Sequence, residues 1–355
     1  MTPDLPAQDR SRLALDDFLE YEQVRDFFRG GGPQISPDGR QIVYTRWWVD
    51  KMNDRWKASL WLMNADGTRN RWLLDASNAR WSPDGSRIAW TAEGQPSGSQ
   101  IFVRYMDAEG AVTQVTRVER SPGSLAWSPD GQWLAFTMLV PEAGSLSAAV
   151  PGKPAGANWA PEPKIVERLD YRRDYAGYSD AGHTQIFVVP SSGGTPRQLT
   201  SGSWDHNGPA WSADGKELYF SSLRVKDAEY EWRESEIYAV NVASGAIRQV
   251  TTRKGPDFAP VPSPDGKRIA YSGYDWTDDT YTASRLYVMN SDGSEPREIS
   301  GGLDRSPGNV IWSKDGNAVY FSAESDGRSD FYVTPLSGKP RKLTSGDHYL
   351  TIMSL

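Results

Sequence analysis

The sequence has no cysteine and only three histidines, His183, His206 and His348, among its 355 residues. Without cysteine there can be no disulfide, no thiolate nucleophile and no cysteine-ligated zinc. No apolar run approaches the ~20 residues of a membrane-spanning helix, and the polar start at residues 1–10 is unlike a signal peptide. We therefore expect no membrane association, and a cytoplasmic location, or a periplasmic one if a leader has been removed.

Positive charge is also in short supply. The chain has 39 Lys and Arg against 46 Asp and Glu, which gives a net charge of −7. No run of Lys or Arg provides the basic surface typical of nucleic-acid-binding proteins, so we expect no nucleic-acid partner. Aromatic residues, in contrast, are plentiful, with 15 Trp and 16 Tyr, and a disordered chain has few of them. The chain is therefore expected to fold around one large core or two ordinary ones.

Six copies of a short motif divide the chain into similar units. Four copies have the sequence Ser-Pro-Asp-Gly, two relaxed copies keep Ser, Asp and Gly, and all six are called turn strings below. They begin at Ser36, Ser82, Ser128, Ser212, Ser263 and Ser313. Pro presets φ at about −65°, Asp bonds its own backbone and Gly accepts positive φ. An apolar triplet and then a Ser or Thr follow each string, so each string predicts a tight turn between two strands.

A second hairpin follows each turn string. Its first strand begins with motifs such as Thr184-Gln185-Ile186-Phe187, and its polar second strand ends in forms of Gln-Leu-Thr, as at 198–200. Four of the five intervals between turn strings are 46 to 51 residues long. Four strands in about 40–50 residues are typical of a propeller blade. The sequence therefore predicts an all-β protein, a β-propeller with six complete four-stranded blades.

The remaining segments depart from this repeat. We expect an N-terminal segment at 1–32, with a short helix at 13–28, and a propeller at 33–355. The third interval between turn strings is 84 residues long. We interpret residues 141–182 as an insertion between the second and third strands of blade three, and a degenerate extra blade is the alternative.

The last segment, residues 345–355, continues beyond the sixth blade. Its Ser354 lies close to where the next turn string would begin. We interpret the segment as the first, innermost strand of a seventh blade that is cut off. The alternative is that this strand joins blade one and seals a six-bladed ring.

The turn strings, the form of the third strand and the insertion together resemble the propeller half of the prolyl oligopeptidase family of serine peptidases, in its acylaminoacyl-peptidase and dipeptidyl-peptidase branch. The most telling match is the run Val-Glu-Arg-Leu-Asp-Tyr-Arg-Arg-Asp-Tyr-Ala-Gly-Tyr at 166–178, followed by His183-Thr184-Gln185-Ile186-Phe187. The resemblance covers nearly the whole chain. Turn strings alone are shared with TolB-like propellers.

The resemblance implies a propeller that gates and orients substrate for an α/β-hydrolase domain of the same full-length protein, a serine exo- or oligopeptidase acting on short peptides. The catalytic half is not found in these residues: the nearest approach to a Gly-x-Ser-x-Gly elbow, residues 177–181, lacks the final Gly and its strand–helix context. We therefore predict no catalytic residue, no metal site and no cofactor in this chain. The alternative is a TolB-like module that binds a protein and has no enzymatic role.

The first candidate for peptide binding is the cluster Tyr171, Arg172 and Arg173 in the insertion. Arginine offers a planar fork for a carboxylate or a peptide carbonyl, and tyrosine offers an amphipathic wall. The alternative is that Arg172 or Arg173 pairs with Asp170 or Asp174 and fixes the insertion to the ring.

The second candidate is the acidic loop at 227–234, in which Glu229 and Glu231 could hold a free amino terminus. Paired carboxylates in the propeller have this role in dipeptidyl peptidases, and charge-assisted hydrogen bonds suit an ammonium group. The alternative is a solvated acidic loop.

The predicted topology separates these candidates from the turn strings. Turn strings lie on one face of a propeller, and the connections between second and third strands, and between blades, lie on the other. We predict long loops on that second face at 47–58, 141–182, 224–234 and 273–283. Loops held on a rigid scaffold commonly carry function, so we expect this face to meet the hydrolase domain.

Overall fold

Six antiparallel sheets of four strands make up the computed structural model, which describes residues 15–24, 32–142, 152–160, 165–174, 177–351 and 354. The sheets are the blades of a propeller, and in each blade the strands run in order from the innermost to the outermost. The predicted all-β propeller with six four-stranded blades is confirmed. No helix in the described part of the chain is long and apolar enough to cross a membrane, and the cytoplasmic location stays a prediction.

The first three blades contain strands β1 to β14. Blade one has β1 (Gln34–Ile35), β2 (Gln41–Asp50), β3 (Arg55–Asn64) and β4 (Arg71–Leu74); blade two has β5 (Ser77–Trp81), β6 (Arg87–Glu93), β7 (Ser99–Tyr105) and β8 (Val112–Gln114); blade three has β9 (Gly123–Trp127), β10 (Trp133–Pro141), β13 (Gly182–Pro190) and β14 (Arg197–Gln198). The connection between β10 and β13 holds a separate two-stranded sheet, β11 (Arg172–Arg173) with β12 (Gly177–Tyr178).

The last three blades follow the repeat without a comparable interruption. Blade four has β15 (His206–Trp211), β16 (Glu217–Ser222), β17 (Glu236–Asn241) and β18 (Ile247–Gln249); blade five has β19 (Asp257–Pro262), β20 (Arg268–Gly273), β21 (Arg285–Asn290) and β22 (Arg297–Glu298); blade six has β23 (Gly308–Trp312), β24 (Ala318–Ser325), β25 (Arg328–Pro335) and β26 (Arg341–Lys342).

All six turn strings form the same hydrogen-bonded turn. In blade three, Ser128 Oγ donates to Asp130 Oδ1 at 2.5 Å and accepts from the Trp133 amide at 2.9 Å. Asp130 Oδ1 also accepts from the amide of Gln132, and Gly131 has φ of 67°. These hydrogen bonds hold the pKa of Asp130 below its ordinary value. The same Ser–Asp contact recurs in every blade.

The innermost strands of blades two to six are bent by a bulge four residues before the Ser of the turn string. In blades two to six, the register of the innermost strand shifts near a residue with positive φ. These residues are Asn78, Ser124, Gly208, Ala259 and Asn309. A side chain at positive φ is disfavoured, so the recurrence shows that the bend is required by the blade itself.

Adjacent blades are joined by hydrophobic clusters and by tryptophan side chains. The middle residue of each apolar triplet faces the next blade and the outer two face the previous one, so Ala135 of blade three packs with Leu218 and Phe220 of blade four. Four tryptophans that precede turn strings also donate from Nε1 to a backbone carbonyl of the preceding blade. These pairs are Trp81 with Gln34, Trp127 with Arg80, Trp211 with Ala126 and Trp312 with Val261, at 2.8 to 3.2 Å.

The sector between blades six and one differs from the other five. Each of those five has a hydrophobic cluster, and the described residues form none between blades six and one. Tyr320, Phe331 and Val333 of blade six are partly exposed on this side, whereas the equivalent residues of blade four are buried. Blade six is therefore packed on one side and open to this sector on the other.

The C-terminal segment runs across the open sector. The Leu350 amide donates to Ser329 O at 3.1 Å, as the Asp257 amide does to Ser235 O at the start of blade five. At the far end, Ser354 Oγ accepts from the amide of Ile35 in blade one. The segment thus follows the path of an innermost strand, with one parallel bridge to blade six. Its assignment to a seventh blade stays a prediction.

Two local expectations need correction. The N-terminal helix covers only Leu15–Glu20, because Gln23 already pairs with Trp47 of β2 in a β-bridge; residues 1–14 and 25–31 of the predicted N-terminal segment lie outside the described residues. The loop predicted at 47–58 is wrong, since β2 and β3 continue as a hairpin and leave only residues 51–54 between them. Residues 143–151, 161–164 and 175–176 of the insertion also lie outside the described residues.

Candidate functional site

The face opposite the turn strings carries two neighbouring clefts. Strands alternate in direction within a blade, so the connections between second and third strands all emerge on this face, which we call the loop face. One cleft, the insertion cleft, is about 800 Å³ and lies between the insertion of blade three and a loop of blade four. The other, the blade-four cleft, is about 700 Å³ and lies between loops of blades four and five. Trp232 lines both.

The insertion is fixed to the ring by polar contacts at its base. The Leu169 amide donates to Glu229 Oε1 of blade four at 2.8 Å. Arg168 donates to Gly182 O at 3.1 Å and its guanidinium lies 3.1 Å from the ring of buried His183. These contacts bring the two predicted clusters, one in the insertion and one in the acidic loop, to the same side of the molecule.

The three predicted residues of the insertion have different surroundings. Arg173 pairs with Asp170 at 3.2 Å, but both belong to the insertion, so this pair does not tie it to the ring. Arg172 is exposed, and no residue in the described part of the chain pairs with its guanidinium. The Tyr171 ring is exposed, 6.1 Å from the ring of Tyr178. Arg172 and Tyr171 are therefore accessible to a ligand, and their binding of peptide stays a prediction.

The two predicted glutamates are not brought together. Glu229 lines the insertion cleft and its carboxylate is occupied by the Leu169 amide. Glu231 lines the blade-four cleft instead, and its carboxylate has no partner among the described residues. The geometry gives no support to one ammonium group held by both carboxylates.

The blade-four cleft combines aromatic walls with charges of both signs. Its cations lie over ring faces, with Lys254 Nζ at 4.4 Å from the centre of the Trp276 ring and the Arg233 guanidinium at 4.4 Å from that of Trp232. The Arg224 guanidinium lies likewise over Trp204 and Tyr238. Among the described residues, none of these stacked cations forms an ion pair with Glu231, Glu234 or Glu236 of the cleft.

Glu236 is the residue of this cleft that the sequence analysis did not single out. It is the first residue of β17 and only 9% exposed. Burial raises its pKa to about 7, against an ordinary value of 4.5, and a hydrogen bond from Thr251 opposes the rise. A signal for it existed in the sequence, because the equivalent residue in blades two and three is glutamine.

The histidines are held by structural contacts. His206 is fully buried against Phe220, and burial lowers its pKa to about 4. Burial also lowers the pKa of His183, which lies between Arg168 and nearby carboxylates. His348 Nε2 lies 3.1 Å from Asp330 Oδ1. In the described residues, no histidine bonds a serine hydroxyl, so none of them is placed as the base of a serine nucleophile.

Exposed aromatic and aliphatic side chains are concentrated on the loop face. Tyr230 is 77% exposed, Tyr281 76%, and Trp232 and Leu169 are each 61% exposed. An exposed apolar surface of this kind, rimmed by charges, typically marks an interaction site.

Two family models match parts of the chain. Residues 157–281 match the dipeptidyl peptidase IV N-terminal region, and residues 224–354 match the TolB beta propeller domain. The first match covers residues 157–182 of the insertion and most residues that line the two clefts, and the second runs from the second-to-third-strand loop of blade four through blade six.

Curated relatives include peptidases. Dipeptidyl-peptidase 5 of Porphyromonas gingivalis is 23% identical over 380 residues, covering 98% of this chain and 52% of that protein. The uncharacterized peptidase YuxL of Bacillus subtilis is 26% identical over 214 residues, covering 59% of this chain and 31% of that protein. The Tol-Pal system protein TolB of Francisella tularensis is 29% identical over 134 residues, covering 37% of this chain and 27% of that protein. The chain spans about half the length, or less, of these relatives.

Solved structures show the same fold. An acylaminoacyl peptidase from Pyrococcus horikoshii superposes with a TM-score of 0.74 at 16% identity, covering 95% of this chain and 48% of that one. The β-propeller domain of the Trilobed protease from Pyrococcus furiosus, described as having an open velcro topology, gives 0.65 at 16% identity and covers 95% and 88%.

Proposed function

We propose that this chain, which is an N-terminal propeller of the prolyl oligopeptidase family of peptidases, gates and orients short peptides for a serine hydrolase domain of the same protein. The observation that carries this proposal is the loop face, where the insertion and the loop of blade four enclose an accessible cleft of about 800 Å³. A cleft of this size suits a short peptide segment.

The loop face also supports the proposed contact with a hydrolase domain. Its exposed side chains, such as Tyr230, Trp232 and Leu169, would be covered by a docked domain. The turn face has mainly the hydrogen-bonded turn strings, whose Asp and Ser atoms already bond each other. The loop face is therefore the better candidate for the interface.

The experiment compares this 355-residue protein with the product of the complete reading frame from which it comes. We expect the complete product to hydrolyse short peptides and to be inactivated by a serine-directed inhibitor, and the 355-residue protein to be inactive. Hydrogen exchange should be slower in the complete product at residues 165–174 and 228–234 and unchanged at the turn strings. Protection centred on the turn strings, or inhibitor-sensitive turnover by the 355-residue protein alone, would contradict the proposal.

A second candidate function is a TolB-like module that binds a protein. The match of residues 224–354 to the TolB beta propeller domain favours it. A complete reading frame that encodes no hydrolase domain, together with a stable complex between this protein and a non-substrate protein, would support this alternative.

A further inference from the structure

One position near the start of the third strand has the same structural role in blades two and three. Gln100 donates from Nε2 to Val118 O at 2.7 Å, and Gln185 donates to Gly202 O at 3.0 Å. The amide oxygen of each accepts from a threonine at the end of the fourth strand, Thr116 or Thr200. The side-chain amide thus ties its own blade to the connection that leads to the next blade.

Glu236 occupies this position in blade four and keeps only half of that role. Its Oε2 accepts from Thr251 Oγ1 at 2.5 Å, as the glutamines do from their threonines. Glu236 lines the blade-four cleft, and no donor in the described part of the chain reaches its Oε1. An ionised carboxylate has no hydrogen to donate to the connecting loop. Glutamate here therefore gives up a structural hydrogen bond and presents an unpaired oxygen to a cavity.

The charges around Glu236 leave it without a counter-ion. The carboxylates of Glu234 and Asp257 raise its pKa, and Arg253 is the cation that acts in the opposite direction. Arg253 is already engaged by Asp257, with which it forms an ion pair, and by Asp275 at 3.1 Å. A buried carboxylate without a partner is costly, so a cation entering the cleft would relieve that cost.

The shape of the cleft indicates what kind of cation fits. Tyr238, Trp232 and Trp276 line it, and aromatic faces near a carboxylate favour an ammonium or a guanidinium group. The cleft extends from Glu236 on the third strand to Gln249 on the outermost strand of blade four. The blade-four cleft therefore lies on the outer half of the blade, within reach of a long side chain of a bound peptide.

We propose that the blade-four cleft binds the side chain of a lysine or arginine residue in a peptide, with Glu236 Oε1 accepting a hydrogen bond from the cationic nitrogen. Glu231 and Glu234 at the rim add to the attraction. This binding is a property of the propeller itself and does not depend on the proposed peptidase activity.

The test uses NMR titration of the 355-residue protein with three tripeptide amides, two of them acetylated and one with a free amino terminus. We expect acetyl-Ala-Lys-Ala-amide to bind at least tenfold more tightly than acetyl-Ala-norleucine-Ala-amide, whose side chain has the same four carbons but no ammonium group. Glu236→Gln should weaken binding of the lysine peptide about tenfold, as expected for loss of one charge-assisted hydrogen bond. Equal affinity of the lysine and norleucine peptides, or no effect of Glu236→Gln, would overturn the proposal.

Two further variants and the third peptide serve as controls for charge, for the cleft itself and for the source of the cation. Glu109→Gln makes the same charge change in an exposed turn of blade two and should leave the affinity unchanged. Trp232→Ala removes an exposed wall of the cleft and should weaken binding of the lysine peptide about threefold, which tests the cleft without touching the core. The third peptide, Ala-norleucine-Ala-amide with a free amino terminus, should bind no better than its acetylated form. Affinity equal to that of the lysine peptide would assign the cation to an amino terminus and reject the side-chain proposal.

Discussion

The two faces of this propeller differ in how far the blades resemble one another. On the turn face, the same Ser and Asp atoms form the same contact six times. On the loop face, the blades share little: blade three has an insertion, blade four has an aromatic and acidic loop, and blade six turns within two residues. The repeat therefore supplies contacts that stabilise the ring, and we expect ligands and partners to bind where the blades depart from it.

The largest expected effect concerns Glu236, a buried carboxylate at a position where blades two and three have glutamine. Its pKa is about 7 in the folded protein and 4.5 ordinarily, so between these pH values the folded state binds more protons than the unfolded state. This group therefore makes the protein less stable as the pH rises through that range. We expect Glu236→Gln to raise the free energy of unfolding at pH 8 by about 3 kcal/mol, at 1.36 kcal/mol per pKa unit, with little change at pH 4.5.

Urea denaturation of both proteins at pH 4.5, 6 and 8 measures this difference. Burial also raises the pKa of Asp257, to about 6. The free energy of unfolding of Glu236→Gln should therefore still fall with rising pH, but by less than that of the wild type. If the wild-type protein were as stable as Glu236→Gln at pH 8, the Glu236 carboxylate would have a partner. Glu236 would then not be an example of an unpaired buried group on the loop face.

A somewhat smaller effect is expected on the turn face. Asp130→Ala removes the acceptor of Ser128 Oγ and of the Gln132 amide, and Ser128 is almost fully buried. We expect a loss of about 2 kcal/mol in the free energy of unfolding, since the buried Ser128 hydroxyl is left without an acceptor and the Gln132 amide loses a charge-assisted bond. Asp174→Ala, which removes an exposed carboxylate of the loop face, should change stability by less than about 0.5 kcal/mol. Similar losses in the two variants would contradict the division of roles.

The smallest expected effect concerns the bulge of the innermost strands. We test it with two opposite substitutions, one from alanine to glycine and one from glycine to alanine. Ala259 has φ of 53° and Gly208 has φ of 63° at the equivalent position. We expect Ala259→Gly to stabilise and Gly208→Ala to destabilise the protein, each by about 1 kcal/mol, because a Cβ is disfavoured at positive φ. A Cβ at Gly208 would meet no atom within 4 Å. Thermal unfolding of Gly208→Ala therefore measures the backbone strain without a steric clash. Shifts of the melting temperature in the same direction in both variants would show that positions 208 and 259 are not equivalent.

Most of the ring could be predicted because its contacts are local and repeated. A turn string fixes a hairpin within ten residues, and an apolar triplet fixes which neighbours the second strand meets. The hydrogen bond from the Leu169 amide to Glu229 could not be predicted, since the insertion has no second copy in the chain to compare with. Glu236 could have been found by aligning the six third strands, where glutamine stands in blades two and three. The length of the N-terminal helix was missed because the bridge between Gln23 and Trp47 is a tertiary contact that no periodicity shows.

The bulge limits where a blade can change in length. It lies four residues before the turn string in every blade where a positive φ marks it, so gaining or losing one residue there would move each side chain of the innermost strand to the wrong side. The connections between second and third strands carry no such restriction, and they range from two residues in blade six to 40 in blade three. Differences in connection length among the blades are thus greatest on one face of the ring, where a loop can lengthen without changing the four strands of its blade.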